Sequence, residues 1–165
     1  MEKKTSLLSH AITTAVTESL ENMVFMAVEP MHLIWGKVQI LKPYNGSITL
    51  AFPEQLVREL THELYAQDGE SADNRMINMD TVAEMTNIVA GCMMNMLVSE
   101  DEDYELSLPK TGAGDIEYER SSCYIRHFEI NGHMYAVMIE GDGLLQFRSR
   151  YISLDPTPAQ DGWGA

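Results

Sequence analysis

The stretch NMDTVAEMTNIVAGCMMNML, residues 78–97, carries apolar side chains at helical spacing for twenty positions with no proline to interrupt them. A run of that length and period folds as one long helix, and such a helix needs a broad surface to lie against. At about 100° per residue, Val82, Met85, Val89, Cys92, Met93 and Met96 gather on one side, which predicts a stripe facing the core. Asp80, Glu84, Asn87 and Gly91 fall at i, i+4, i+7 and i+11, in a line on the opposite side. This polar line holds no lysine or arginine. It is arranged to present particular groups, and its glycine would let another surface come close.

The flanking segments predict the surface. Residues 7–27 read as a first helix, with Leu8, Ile12, Ala15, Leu20, Met23 and Val24 or Ala27 as apolar contacts. HLIWGKVQIL has strand composition, and SITLAF answers it across Asn45-Gly46, which predicts an antiparallel hairpin. Pro53 suits the first position of a short helix over 54–64 that packs Leu56, Val57, Leu60 and Leu64. AQDGESADN is a polar connector. Beyond the long helix come DYELSLP, then CYIRHFEI and HMYAVMIE, the last two joined at Asn131-Gly132, a second strong hairpin signal. TGAGD, after Pro109, reads as a loop without the strand-to-helix setting that a phosphate-binding loop requires. The order predicts an α+β fold, an antiparallel sheet with helices packed on it. Residues 1–154 make one domain by length. Residues 155–165 have too little apolar content to fold and are expected to form a flexible tail.

Twenty-five acidic against eleven basic residues give a formal charge of −14, which argues against nucleic acid or an anionic membrane as partner. The acidic runs at 100–103 and 117–119 read as solvated loop and edge positions. The twelve methionines are expected mostly to fill the core. Cys92 and Cys123 form no CxxC pair and have no metal-ligand spacing; with Cys92 on the predicted core side, buried reduced thiols are expected. The opening MEKKTSLLSHAITTAV is too polar for a secretory leader and no apolar run is long enough to span a bilayer, so a cytoplasmic location is expected. Asn45-Gly46-Ser47 matches a glycosylation acceptor and reads more simply as a turn.

Little in the chain suggests a self-contained catalytic centre. His10, His32, His62, His127 and His133 are scattered, with no HExxH and no close pairing with cysteine, so no metal site is expected. There is no GxSxG elbow. Glu84 and Asn87 remain, and an arbitrary Glu-x-x-Asn is ordinarily just a solvent-facing pair.

The surrounding pattern is more specific. Asp80-x3-Glu84-x2-Asn87, followed by twenty-one residues and Pro109, resembles the signature of the CheC/CheX family of chemotaxis phosphatases, as does NIVAG, a branched apolar pair and a glycine after the asparagine. The resemblance runs from about residue 7 to 140 in the order of elements as well as in the motif. Members of the CheC type carry a second Glu-x-x-Asn in their first helix. Here TESLENMVFM offers Glu18-x-x-Glu21 and Glu21-x-x-Val24, and neither completes it. With a single motif the chain is closest to CheX.

The resemblance implies a phosphatase acting on the phosphoaspartate of a CheY-like receiver domain. Asn87 would insert beside the phosphoryl group and orient the attacking water, and Glu84 would pair with the receiver's lysine. An amide suits that role because it accepts from water without adding negative charge, and as a weak base it orients rather than deprotonates. Asp80 and Gly91 would belong to the partner-binding surface, and Pro109 would shape the turn beside the site. No cofactor is expected on this chain, the Mg2+ being supplied by the receiver. The resemblance also implies a homodimer formed through the β-structure. The alternative is the same fold used as a non-catalytic receiver-binding or flagellar-switch-type module.

Overall fold

The computed structural model describes residues 14, 31–65, 75–116, 118 and 122–149. The expected first helix, apart from residue 14, lies outside the described residues, as do the connector 66–74, Glu117, Glu119 and the tail 155–165.

Strands β1 (Leu33–Lys42) and β2 (Gly46–Pro53) pair antiparallel, Leu33 opposite Pro53 and Ile40 opposite Gly46, which is the first expected hairpin. Helix α1 (Glu54–Tyr65) follows directly, so Pro53 closes the strand rather than opening the helix. The long helix α2 spans Arg75–Leu97. Two short strands, β3 (Glu105–Leu106) and β4 (Lys110–Ala113), both pair with the outer edge of β1. Strands β5 (Cys123–Ile130) and β6 (His133–Glu140) make the second hairpin. Its turn residues Asn131 and Gly132 have φ of 50° and 81°, the positive pair that a two-residue type I′ turn needs to match strand twist. A short helix α3 (Asp142–Leu145) and a 3-10 turn (Gln146–Ser149) complete the described chain. The strands form one antiparallel sheet in the order β3–β1–β2–β6–β5, with β4 also on β1. The architecture is the expected α+β.

Alternation places Ile34, Gly36, Val38 and Ile40 of β1 on the face that meets α2, with Ile48, Leu50 and Phe52 of β2 beside them. These pack with Leu56 and Val57 of α1 and with Val82, Ala90 and Met94 of α2 into one core. The central strand β2 is buried on its other face too, through Ser47, Thr49 and Ala51. There the carboxylate of Glu140 is neutralised by Lys37 Nζ at 2.6 Å and accepts from Ser47 Oγ at 3.2 Å.

Two further expectations need correction. The segment TGAGD is not all loop, because Thr111, Gly112 and Ala113 belong to β4. Gly112 lies against the indole of Trp35, where a Cβ would collide with the ring; this glycine marks a close approach within a strand rather than a turn. Leu64 does not pack in the core but is 60% exposed, and Thr61 takes the inward position on α1. The segment after β6, for which the sequence suggested no element, folds as α3 and buries Leu144.

Candidate functional site

The inward side of α2 is a line of every fourth residue, Asn78, Val82, Thr86, Ala90 and Met94, together with Thr81. Such a line drifts by about 40° at each step around a helix of 3.6 residues per turn. It therefore differs from the stripe predicted from the large apolar residues. Val82 is buried and Met85 and Met93 pack against the core, but Val89 and Cys92 are exposed and Met96 is 81% exposed. Cys92 is thus no buried thiol, and Cys123 is only partly buried. The cause is the closeness of helix to sheet. A Cβ on Gly36 would run into Thr86 and crowd Val82, so small side chains occupy the contact and several methionines are left outside. The inward threonines are tolerated because their hydroxyls donate within the helix, Thr86 to the Val82 carbonyl at 2.7 Å and Thr81 to that of Ile77 at 2.9 Å.

Seating α2 on Val82 and Thr86 decides where the polar line points. Glu84 is two residues from each, a rotation of about 200°, and stands at the summit of the helix. Asp80, Glu84 and Asn87 are all exposed. Asn87 makes no side-chain hydrogen bond among the described residues, so its carboxamide is available to another molecule. Gly91, half-buried, lies further along the same line and its carbonyl accepts a long bond of 3.5 Å from Tyr104 Oη. A Cβ there would meet nothing nearer than that hydroxyl at 3.6 Å, so no neighbour within the described chain demands a glycine. Pro109 is half-buried in the link from β3 to β4. Just before it, Ser107 ties that link to β1, its amide donating to the Gln39 carbonyl at 2.8 Å and its Oγ accepting from the Gln39 amide at 2.9 Å. The exposure of residues 100–103 agrees with a solvated acidic loop.

One contact was not visible in the sequence. Tyr65, the last residue of α1, donates its hydroxyl to Glu84 Oε2 at 3.0 Å. That hydrogen bond, with burial and the negative charges of Glu84 and Asp80 adding to it, holds the phenol above the usual tyrosine range; a contact with Thr81 acts weakly the other way. The side chain of Tyr65 stays protonated at neutral pH and acts as the donor.

Chemically, a carboxylate and a carboxamide one turn apart on an exposed helix do not enclose a small substrate. They can enter a cleft of another macromolecule and offer it an acceptor, a donor and a negative charge. Among the described residues there is no group of three His, Cys, Asp or Glu able to hold a metal, and no helix long and apolar enough to cross a membrane.

A family profile described as chemotaxis phosphatase CheX matches residues 34–126, a span that contains Asp80, Glu84, Asn87, Gly91 and Pro109. No curated protein matches the sequence. Among solved structures, the chain is similar to the chemotaxis protein CheX from Desulfovibrio desulfuricans, with 20% identity over 80% of this chain and 97% of that one and a TM-score of 0.55. It is similar to a chain of the CheX–CheY–BeF3–Mg2+ complex from Borrelia burgdorferi, with 19% identity over 76% and 92% of the two chains and a TM-score of 0.53. It is also similar to FliY of Thermotoga maritima, with 15% identity over 73% and 70% and a TM-score of 0.52. At these identities the structural likeness is one of fold.

Proposed function

The chain belongs to the CheX family of chemotaxis phosphatases, and on that premise we propose that it hydrolyses the aspartyl phosphate of a CheY-like receiver domain. The observation that carries this reading is the joint outward presentation of Glu84 and Asn87 on a helix whose roll is fixed by the sheet beneath it. The Borrelia burgdorferi neighbour, crystallised with CheY, BeF3 and Mg2+, supports a receiver as the partner.

In the proposed reaction the receiver contributes the phosphorylated carboxylate, its Mg2+ and a lysine. Glu84 engages the lysine and sets the register of the two proteins. Asn87 enters beside the phosphoryl group, where its amide holds a water in line with the bond to be broken. The water oxygen bonds to phosphorus, the bond from phosphorus to the aspartyl oxygen breaks, and inorganic phosphate and a free carboxylate result. Asp80 and Gly91 belong to the surrounding contact surface, and Pro109 to the turn that shapes it. The protein works as a homodimer in the cytoplasm. Phosphate release from a panel of the host's phosphorylated receivers tests the reading. Acceleration above each receiver's own rate supports it, and binding without acceleration replaces it with the non-catalytic docking module.

A further inference from the structure

We infer that Tyr65 is a positioning residue that holds the Glu84 carboxylate ready for the receiver's cationic group, an inference that rests on the role proposed for Glu84. The two helices meet through a short ladder. Thr61 Oγ1 donates to Thr81 Oγ1 at 3.1 Å in a buried contact, and Thr81 Oγ1 in turn donates to the Ile77 carbonyl at 2.9 Å. One turn further along α1 and three residues further along α2, the same register brings Tyr65 to Glu84 at 3.0 Å. The threonine pair and the core contacts of Leu56, Val57 and Val82 already fix the packing of α1 on α2. The phenol hydroxyl, at the partly exposed end of α1, is therefore not needed to join the helices.

What the hydroxyl does is restrain a side chain that would otherwise be free. An exposed glutamate samples several rotamers, and ordering it on docking weakens binding. A donor anchored to a second helix removes most of that freedom beforehand. It occupies Oε2 alone, which leaves Oε1 to accept from a cation. A phenol is protonated across the neutral pH range, and the neighbouring carboxylate shifts its titration further up, so the hydroxyl remains a donor there.

The test is a double-mutant cycle of Tyr65→Phe and Glu84→Gln in the full chain. Binding to a CheY-type receiver loaded with beryllofluoride and phosphate release from the phosphorylated receiver are measured together. Tyr65→Phe is expected to weaken binding and raise KM by up to about tenfold, the scale of immobilising one flexible side chain on docking, with little change in the unfolding midpoint. In the Glu84→Gln background it is expected to add nothing. The tyrosine titration, followed by nuclear magnetic resonance, should move down toward the usual range in Glu84→Gln. Wild-type behaviour of Tyr65→Phe, losses that multiply in the double variant, or an unmoved tyrosine titration each overturn the inference while leaving the phosphatase reading intact. A wild-type protein inert toward every receiver overturns the parent reading, and this inference with it.

Discussion

Thr86 of α2 sits directly on Gly36 of β1, so close that a single added carbon on the glycine would collide with the threonine side chain. This contact sets both the height of the helix above the sheet and its roll. The outward direction of Glu84 and Asn87 follows from it, so the proposed site depends on a glycine buried between strand and helix.

Gly36→Ala is accordingly expected to destabilise the fold by about 1–3 kcal/mol, the usual range for forcing an extra methyl group into a packed core. Thr86 is buried and bonded to its own helix, which limits its ability to move aside. Denaturant unfolding checks the loss. The paired variant Gly36→Ala/Thr86→Ala removes the threonine hydroxyl that the new Cβ would strike and should recover part of it; no recovery would mean that the collision lies elsewhere.

Asn87→Ala is expected to nearly abolish stimulated phosphate release and to leave the unfolding midpoint unchanged. The side chain is exposed, so truncation opens no cavity and only the proposed contact with water is lost. Full phosphatase activity in a folded Asn87→Ala protein would remove Asn87 from the mechanism.

What could be read without coordinates follows from how local each signal is. Both hairpins were legible, but only Asn131-Gly132 carries the turn chemistry in adjacent residues; neither Asn45 nor Gly46 has a positive φ, and Gly46 already pairs with Ile40 inside β2. The long helix was legible from its period, and so was the outward line of Asp80, Glu84 and Asn87. The inward face was read only in part. Ranking by size placed Cys92 and Met96 inside, whereas the helix seats Thr86 on Gly36 and buries Ala90 one turn further on. The strand through Gly112 was hidden for a similar reason, since its glycine answers the ring of Trp35 across the sheet. The Tyr65–Glu84 contact left no trace in the sequence, because it depends on how two helices pair.

Glu84→Gln is expected to weaken receiver binding and to flatten its salt dependence. An ion pair with a receiver lysine is screened as ionic strength rises, whereas a neutral amide in the same place loses little to added salt. Binding titrations at several salt concentrations compare the two slopes. Equal slopes for wild type and Glu84→Gln would argue that Glu84 docks through something other than its charge.

Gly91→Ala separates internal from external reasons for a glycine. The nearest atom to a new Cβ is Tyr104 Oη at an ordinary contact distance of 3.6 Å, and alanine in a helix interior is favoured over glycine by roughly 0.5–1 kcal/mol. The free protein should therefore be as stable as wild type or slightly more so. If the glycine serves the approach of a receiver, affinity falls in the same variant. Gly91→Leu should weaken docking further, and normal binding by both variants would remove Gly91 from the contact surface.

The last expectation concerns assembly. Strand β5 closes one end of the sheet and pairs only with β6 among the described residues, so its other side is a long row of backbone groups available to a second chain. Phe128 on this strand is 42% exposed although it stacks on Tyr135 at 5.4 Å, which gives such an edge apolar area to bury. Two copies joined there about a twofold axis would extend one sheet through both. The helix α2 lies over β1 at the far side of β2 and β6, so each copy would keep its Glu84 and Asn87 clear and the dimer would take two receivers. The formal charge of −14 opposes this association, and added salt should strengthen it. Light scattering at micromolar concentration is expected to give a dimer that tightens with salt, and hydrogen exchange should show slow amides along β5. A monomer at every salt concentration, with fast exchange along that strand, would end the dimer proposal and leave the phosphatase site standing on its own.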